Sequence, residues 1–561
     1  MLFRSGTVTF YDGTTSLGTA TLSGGSASLS TSALAYGSHS LTAVYGGSPS
    51  ISAGTEFTGS TSASSSHAVN QASATASVSS SPNPSKVGQS VTISATVAAV
   101  APGSGTPTGS VEFFDGSTSL GTATLSGGSA SISTSSLTLG SHSLTVAYAG
   151  DTNFGSTTSS ASTHTVNQAS TSTSVASSPN PTVYGQSTTI TATVSVSSPG
   201  AGTATGSVTF YDGATSLGTA TLSGGSASIS TAALSVGSHS LTAVYGGSSD
   251  FTGSTSSAST HTVNQASATA SVSSSPNPSK VGESVTITAT VAAVAPGAGT
   301  PSGSVEFFDG ITSLGTATLS GGSASLSTSA LTLGSHSLTV AYAGDTNFTS
   351  TTSSASTHTV SQASTTTSIA STPNPSVVGQ SVAITATVAV SSPGTGTATG
   401  SVEFFDGSTS LGTVTLSGGS ATFNTSSLAL GSHSLTAQYL GSSDFGGSTS
   451  SATTQTVNTA STSTSLASSQ NPSVVGESVT FTATVAVSPP GSGTATGTVT
   501  FKDGSTTLGT GSLSGGVATF STSALALGSH SITAEYGGSS NYDGSTSNTV
   551  TQSVEIGRAH V

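Results

Sequence analysis

The stretch GSVTFYDGATSLGTATLSGG, residues 206–225, decides the fold because the chain contains six versions of it. Its Asp-Gly dipeptide recurs first after 103 residues and then four times after 97 residues. A period near one hundred residues is too long for one rung of a solenoid and has the size of a small, independently folding domain. The other five versions begin at Gly6, Gly109, Gly303, Gly400 and Gly497.

Alternating apolar and polar residues within the repeat predict short β-strands. The segment STTITATVSV, residues 187–196, puts Ile190, Ala192 and Val194 on one face and threonines on the other. A period of two residues is typical of a strand that is buried on one side. The same pattern returns in VTISATV from Val91 and VTFTATV from Val479.

Turn residues separate these runs. Pro179 and Pro181 are expected to end the strand that precedes them, because proline cannot donate to a ladder. Asp212-Gly213 and Gly224-Gly225 predict two tight hairpin turns. About seven strands result, with turn signals every 8–12 residues and no helical stripe, which predicts an all-β fold with two packed antiparallel sheets.

Three motifs recur in fixed order: P-x-x-G-[QE]-S-V-T-I-T-A-T-V, G-S-V-E-F-F-D-G-x-T-S-L-G-T-A-T-L and L-x-x-G-S-H-S-L-T-x-x-Y-x-G. Together they resemble the bacterial immunoglobulin-like domain of group 3, over nearly the whole chain from Gly6 to about Gln552. The resemblance implies tandem immunoglobulin-like sandwiches in an elongated rod, as in exported surface proteins of the adhesin type. The core cysteine pair and tryptophan of antibody domains are absent from the sequence.

The recurring Gln-Ala-Ser tripeptide predicts the domain boundaries. Residues 6–71 form a partial domain (repeat 1) that lacks its first two strands, and five full domains (repeats 2–6) follow it. These full domains are predicted at 72–168, 169–265, 266–362, 363–459 and 460–552.

The composition argues against several classes of partner. Only 4% of residues are charged and the net charge is −14, whereas nucleic acids and anionic membranes require basic patches. No cysteine is present, so disulfides and thiolate sites are excluded. No apolar run approaches the roughly 18 residues of a membrane span. We therefore predict no nucleic-acid partner and no membrane insertion in this segment.

Histidines are the first candidates for chemistry. Repeat 2 contains His142 and His164, but the second position becomes Gln455 in repeat 5 and Gln552 in repeat 6. A zinc site usually needs four ligands, so no shared metal cage is expected. The Gly-Ser-His-Ser motif is interpreted instead as a turn that leads into a strand, with its imidazole partly exposed.

Acidic loops are a second candidate. Asp151 with Asn153, and Asp345 with Asn347, could bind calcium, but calcium takes about six to eight oxygens and each loop offers one carboxylate. A solvated turn is the favoured interpretation, and calcium binding stays open as the weaker alternative.

The sequence does not support a covalent cross-link in every repeat or a catalytic site. A lysine–asparagine cross-link cannot be general, because Lys86, Lys280 and Lys502 serve only repeats 2, 4 and 6. Nothing resembles the strained nucleophile turn of a serine hydrolase. We therefore predict no enzyme activity, no cofactor and no catalytic or metal site.

Two functions remain. The first is a stalk at the surface of a bacterial cell, or in a secreted protein, that presents a distal domain; five sandwiches end to end would measure on the order of 200 Å. The second is an adhesive module that contacts glycans or other surfaces through its loops or Thr/Ser-rich faces. Phe114, Tyr211 and Phe308, just before the hairpin turn, are the aromatic candidates for such contacts.

The two ends do not follow the repeat pattern. MLFRS at residues 1–5 and EIGRAHV at residues 555–561 contain the only two arginines. One coding of the tail, read as its reverse complement, encodes Met-Leu-Phe-Arg-Ser and resembles a sequencing-library adapter. We expect both ends to be artefacts, with the natural protein continuing beyond them.

Overall fold

The computed structural model describes residues 6–48 and 57–557 of the chain. Within them every regular element is a β-strand, and the strands repeat from domain to domain. A full repeat has seven strands of six to nine residues and two strands of two residues. The seven longer strands are those that the alternating pattern predicts.

The strands are as follows, in chain order. Repeat 1 contains β1 (Thr7–Asp12), β2 (Thr15–Thr21), β3 (Gly37–Tyr45), β4 (Ser60–Thr61) and β5 (Ser65–Val69). Repeat 2 contains β6 (Ala74–Ser81), β7 (Ser85–Lys86), β8 (Val91–Ala99), β9 (Ser110–Asp115), β10 (Thr118–Thr124), β11 (Ser129–Thr134), β12 (Gly140–Tyr148), β13 (Thr157–Thr158) and β14 (Ser162–Asn167). Repeat 3 contains β15 (Thr171–Ser178), β16 (Thr182–Val183), β17 (Thr188–Val196), β18 (Ser207–Asp212), β19 (Thr215–Thr221), β20 (Ser226–Thr231), β21 (Gly237–Tyr245), β22 (Ser254–Thr255) and β23 (Ser259–Asn264).

The last three repeats have the same nine strands. Repeat 4 contains β24 (Ala268–Ser275), β25 (Ser279–Lys280), β26 (Val285–Ala293), β27 (Ser304–Asp309), β28 (Thr312–Thr318), β29 (Ser323–Thr328), β30 (Gly334–Tyr342), β31 (Thr351–Thr352) and β32 (Ser356–Ser361). Repeat 5 contains β33 (Thr365–Thr372), β34 (Ser376–Val377), β35 (Val382–Val390), β36 (Ser401–Asp406), β37 (Thr409–Thr415), β38 (Ser420–Thr425), β39 (Gly431–Tyr439), β40 (Ser448–Thr449) and β41 (Thr453–Asn458). Repeat 6 contains β42 (Thr462–Ser468), β43 (Ser473–Val474), β44 (Val479–Val487), β45 (Thr498–Asp503), β46 (Thr506–Ser512), β47 (Val517–Thr522), β48 (Gly528–Tyr536), β49 (Ser545–Thr546) and β50 (Val550–Glu555).

Each full repeat is a sandwich of two sheets. In repeat 3 the smaller sheet has the order β15-β17-β20, and the larger has the order β16-β23-β21-β18-β19 with β22 paired to β21. The core lies between them. As predicted, the apolar face of β17 points inward, where Ile190 and Ala192 are fully buried against Phe210 of β18. The fold class predicted from the sequence is confirmed.

The proline pair marks the point where the chain changes sheets. β15 ends at Ser178 and β16 begins at Thr182, so Pro179 and Pro181 interrupt the ladder as predicted. Beyond them β16 pairs in parallel with β23, the last strand of the same repeat. Among the strands of repeat 3 this short pair is the only parallel one, and the isolated bridge between Ala169 and Phe251 is parallel as well.

The hairpin turn lies one residue later than the sequence suggests. Asp212 pairs with Thr215, so the two-residue loop is Gly213-Ala214 rather than Asp212-Gly213. Gly213 has a φ of 55°, and a hairpin loop favours glycine where φ is positive. Asp212 therefore remains within the ladder, and its carboxylate lies beside the neighbouring strand.

Repeat 1 and the chain ends differ from this plan. The described residues of repeat 1 form a single sheet of β1–β5. Of residues 1–5 and 555–561, which we assigned to an adapter, residues 1–5 and 558–561 lie outside the described residues. Glu555 ends β50 and pairs with Val474, so the last strand extends beyond the predicted boundary at Gln552.

By contacts within the chain, the structure divides into two compact units. One comprises Met1–Ala266 with Pro296–Ala298, and the other comprises Ser267–Ala295 with Gly299–Val561.

Candidate functional site

Every repeat contains one histidine–aspartate pair at the hairpin end of its larger sheet. In repeat 2 Asp115 ends β9 and His142 lies near the start of β12. The Nδ1 atom of His142 is 2.7 Å from Oδ2 of Asp115, and its Nε2 atom is 2.7 Å from the carbonyl oxygen of Thr138. The backbone N–H of Ser143 donates to Oδ1 of the same aspartate at 3.2 Å. The equivalent pairs are His39–Asp12, His239–Asp212, His336–Asp309, His433–Asp406 and His530–Asp503.

This geometry suits a charged imidazolium that donates two hydrogen bonds. Both ring nitrogens of His142 face acceptors, so the ring has no lone pair directed at a metal or at a substrate proton. In a serine–histidine–aspartate triad the second nitrogen faces a nucleophilic hydroxyl, whereas here it faces a backbone carbonyl. Burial would lower the pKa of His142, but the hydrogen bonds to Thr138 and Asp115 outweigh burial and raise that pKa.

The Gly-Ser-His-Ser motif lies within a strand, and its imidazole is largely buried. It is not a turn before a strand, since Gly140 already begins β12. The imidazole of His142 is also only 9% exposed, because it is covered where it bonds to Asp115 and Thr138.

A second imidazole lies directly opposite the first. His164 of β14 pairs with His142 across the strands, and its side chain is fully buried at 0% exposure. Its Nδ1 atom is 3.0 Å from the Ser80 hydroxyl, and its Nε2 atom is 2.8 Å from the Ser85 hydroxyl. Burial, followed by the nearby charge of His142, lowers the pKa of His164. The hydrogen bonds of this ring link β6, β7 and β14.

Glutamine replaces this second histidine in repeats 5 and 6. In repeat 5 the Gln455 amide donates to the Ser376 hydroxyl at 3.0 Å, but its oxygen has no partner among the described residues. Repeat 6 has both bonds. The Gln552 amide donates to the hydroxyl of Ser473 at 3.1 Å and to the carbonyl of Gln470 at 2.9 Å. Its oxygen accepts from the Ser468 hydroxyl at 2.6 Å. The Gln552 amide thus replaces the imidazole as a hydrogen-bonding group. The role of this position is to link neighbouring strands by hydrogen bonds. Within residues 6–48 and 57–557, no group of three or more His, Asp or Glu side chains is placed to hold a metal ion.

The candidate calcium loop is closed by its own hydrogen bonds. Oδ1 of Asp151 accepts from the backbone N–H groups of Asn153 and Phe154, both at 2.8 Å. Oδ2 accepts from the backbone N–H and the hydroxyl of Thr108, both at 2.7 Å. Burial would raise the pKa of Asp151, but these bonds hold it well below its usual range. Asp345 is bonded to Ser302, Asn347 and Phe348 in the same way.

The remaining candidates are dispersed. Lys86 lies in β7 and Lys280 in β25, whereas Lys502 of β45 forms an ion pair with Glu535 of the neighbouring strand. The side chains proposed for adhesion, Phe114, Tyr211 and Phe308, are each half-buried. The structure does not bring these residues together.

The histidine–aspartate pair is the feature that sequence reasoning missed. The sequence does contain a signal for this pair. The aspartate of each Asp-Gly dipeptide precedes the histidine of Gly-Ser-His-Ser by 27 residues in all six repeats. A constant offset between an acid and a base is itself evidence that they meet.

A two-sheet sandwich with a split opening strand is the architecture of an immunoglobulin-like domain. The family described as Bacterial Ig-like domain (group 3) matches six segments of the chain, and the chain belongs to this family. The matched segments are residues 3–70, 78–167, 175–264, 272–361, 369–458 and 466–555. A search of curated proteins gives no match.

Two solved structures show distant similarity. The fibronectin(III)-like modules of Clostridium thermocellum CbhA match with 19% identity and a TM-score of 0.16, over 35% of this chain and 98% of theirs. A mutant of Salmonella alpha-2-macroglobulin matches with 9% identity and a TM-score of 0.17, over 99% of this chain and 44% of its own.

The histidine–aspartate pair predicts how the stability of repeat 5 depends on pH. Burial would lower the pKa of His433, but the Ala429 carbonyl and Asp406 raise it above its ordinary value near 6.5. A raised folded-state pKa gives stability that is fully present below about pH 6.5 and is lost as the pH rises through the folded value. Urea unfolding of residues 363–459 should therefore show higher stability at pH 6 than at pH 8.

The variant His433→Gln provides the control for this prediction. It should unfold with nearly the same midpoint at both values of pH, because the titrating ring is gone. An identical pH dependence in the variant would contradict the assignment.

Proposed function

We propose that the chain is a spacer segment of an exported bacterial protein, in which tandem immunoglobulin-like domains hold another domain away from the surface. The proposal depends on restrained junctions between neighbouring repeats. It draws support from the family, whose six matched segments fill the chain.

The junction between repeats 5 and 6 carries the proposal. β41 ends at Asn458 and β42 begins at Thr462, so three residues separate the two domains. Val378 of repeat 5 packs against the apolar cores of both repeats. Its carbonyl accepts from the backbone N–H of Ser492 in repeat 6 at 3.3 Å, and the Ser492 hydroxyl donates to the carbonyl of Gly379 at 2.6 Å. Apolar packing and hydrogen bonds together resist bending at this point.

The same contacts recur at other junctions. Between repeats 4 and 5, the backbone N–H of Thr395 donates to the Val281 carbonyl at 3.2 Å, and its hydroxyl donates to Gly282 at 2.6 Å. Between repeats 2 and 3, the backbone N–H of Ala201 donates to the Val87 carbonyl at 3.1 Å. Val87 also packs against both cores. A spacer requires such regularity, because every loose junction shortens its mean reach.

Distance measurements between spin labels test the proposal. The chain contains no cysteine, so Ser408→Cys and Ser505→Cys give two unique labels on equivalent exposed hairpins of repeats 5 and 6. We expect one narrow distance distribution, because the junction between repeats 5 and 6 is held by apolar packing and hydrogen bonds. A twelve-residue Gly/Ser insertion after Thr459 is the control and should broaden the distribution. Equal widths with and without the insertion would refute restrained junctions.

An adhesive role is the alternative, and it needs an exposed contact surface. Stacking on a sugar requires an exposed aromatic face. Phe114, Tyr211 and Phe308 are half-buried, so only part of each ring is open to solvent. Saturable binding of the whole chain to a glycan array would favour adhesion.

The spacer proposal includes no catalytic role and places the chain outside the cell. In the part of the chain that the structure describes, no helix is long and apolar enough to cross a membrane.

A further inference from the structure

The chain contains seven Asp-Gly dipeptides, and one of them differs from the rest in its surroundings. Six lie at the hairpin turns of the larger sheets, and the seventh is Asp543-Gly544 in repeat 6. All seven lie within the described residues. This dipeptide is chemically reactive, because glycine has no side chain to keep its backbone nitrogen away from the carboxyl group of the preceding aspartate.

The reaction is a rearrangement of the backbone. The glycine nitrogen attacks Cγ of the aspartic acid, a C–N bond forms, and the carboxyl OH leaves as water with the proton of the N–H group. Water then opens the resulting cyclic imide at either carbonyl. Opening at the former backbone carbonyl gives isoaspartate, in which the chain runs through the side-chain carbons. The mass is unchanged overall, and no oxidant or reductant takes part.

In the six hairpins the neighbouring strand holds both reacting groups. In repeat 3 the Gly213 N–H donates to the carbonyl of Ser240 at 2.9 Å. The Asp212 carboxylate lies 2.7 Å from Nδ1 of His239 and accepts from the N–H of Ser240 at 3.0 Å. Nitrogen and Cγ can meet only after these bonds break. The glycine N–H donates to the equivalent serine carbonyl in the other five hairpins as well, at Gly13, Gly116, Gly310, Gly407 and Gly504.

Asp543-Gly544 has weaker restraints. Both residues are exposed, and the Gly544 N–H donates to no backbone carbonyl in the part of the chain that the structure describes. The Asp543 carboxylate accepts from the hydroxyls of Thr459 and Ser461, the second at 3.4 Å. Hydroxyl groups rotate, so they restrain a carboxylate less than a backbone N–H within a ladder does.

We propose that Asp543-Gly544 is a site of isoaspartate formation and that the change loosens the first strand of repeat 6, β42. The dipeptide lies between two contacts to that strand. The Thr462 hydroxyl donates to the carbonyl of Asp543 at 2.7 Å, and the Thr464 hydroxyl is 2.7 Å from the hydroxyl of Ser545. Isoaspartate lengthens the backbone by one methylene group between these contacts, so both cannot keep their positions. The proposal does not depend on the spacer role, because it concerns the chemistry of one dipeptide.

Ageing the whole chain for several weeks at pH 6 and physiological temperature tests the proposal. Endoproteinase Asp-N cuts before aspartate and not before isoaspartate, so mass spectrometry of the digest detects conversion at each site as a missed cut. We expect Asp543 to convert at least about tenfold faster than any hairpin aspartate. In guanidinium, where the hydrogen bonds of the fold are lost, the seven sites should convert at similar rates. Equal rates in the folded chain, or the same ranking in the unfolded chain, would overturn the proposal.

The variant Gly544→Ser is the matched control, because repeats 2 and 4 contain serine at the equivalent positions, Ser156 and Ser350. The serine side chain hinders the attack, so Asp543 should convert severalfold more slowly while the hairpins age as before. Amide exchange in β42 should be faster in the aged parent chain than in the fresh one. The equivalent strand β15 of repeat 3, and β42 of the aged variant, should exchange as in the fresh chain. Unchanged exchange in β42 after conversion, or equal conversion in the variant, contradicts the proposal.

Discussion

Replacing Phe210 with alanine should lower the free energy of unfolding of repeat 3 by about 3–5 kcal/mol, the usual cost of emptying an aromatic core site. The side chain is 0% exposed and packs between the two sheets with Ile190, Val208 and Leu241. Hydrogen exchange of the whole chain measures the effect, because the amides of β18 and β21 report on repeat 3 alone. The amides of repeats 5 and 6 should exchange as before.

Repeat 1 supplies a matched control for this substitution. Phe10 occupies the same position of a nearly identical sheet, but it is half-buried because no second sheet covers it among the residues that the structure describes. Phe10→Ala should therefore destabilise β1 and β3 by less than Phe210→Ala destabilises β18 and β21. Equal losses at the two positions would contradict the view that the second sheet provides the stabilisation.

The elements that the sequence predicted well are those with a local signal. The inward face of β17 follows from alternation alone, because a half-buried strand permits only one arrangement of Ile190, Ala192 and Val194. The break between β15 and β16 follows from proline chemistry at Pro179 and Pro181. Neither inference requires knowledge of distant parts of the chain.

The features that were missed depend on distant neighbours. The parallel pairing of β16 with β23 joins segments about 80 residues apart, and a two-residue strand has no periodicity to reveal it. Ser26–Thr31 and β29 show the same limit, since one hexapeptide is a strand in one repeat and not in the other. The bond between Asp212 and His239 required the turn to lie one residue beyond the Asp-Gly signal.

Replacing His164 with alanine should destabilise repeat 2 by about 2–4 kcal/mol. The change leaves a cavity in a fully buried site and removes the partner of the buried Ser85 hydroxyl, as well as that of Ser80. Because His164 connects β14 to both β6 and β7, the opening strands should loosen first. Urea unfolding of residues 72–168 measures the loss, and amide exchange in β6 and β7 locates it.

His164→Gln separates the hydrogen bonds from the imidazole itself. Repeat 6 already contains glutamine at this position, where Gln552 bonds to both equivalent serines, Ser468 and Ser473, so the variant should lose less than about 1 kcal/mol at pH 8. The stability of repeat 2 should also depend differently on pH in the His164→Gln variant. The lowered pKa of His164 gives stability that is present above about pH 6.5 and is lost as the pH falls, which opposes the contribution of His142. Without His164, repeat 2 should gain stability on acidification from pH 8 to pH 6, as repeat 5 does. A glutamine variant as unstable as the alanine variant would show that the imidazole has a role beyond its two hydrogen bonds.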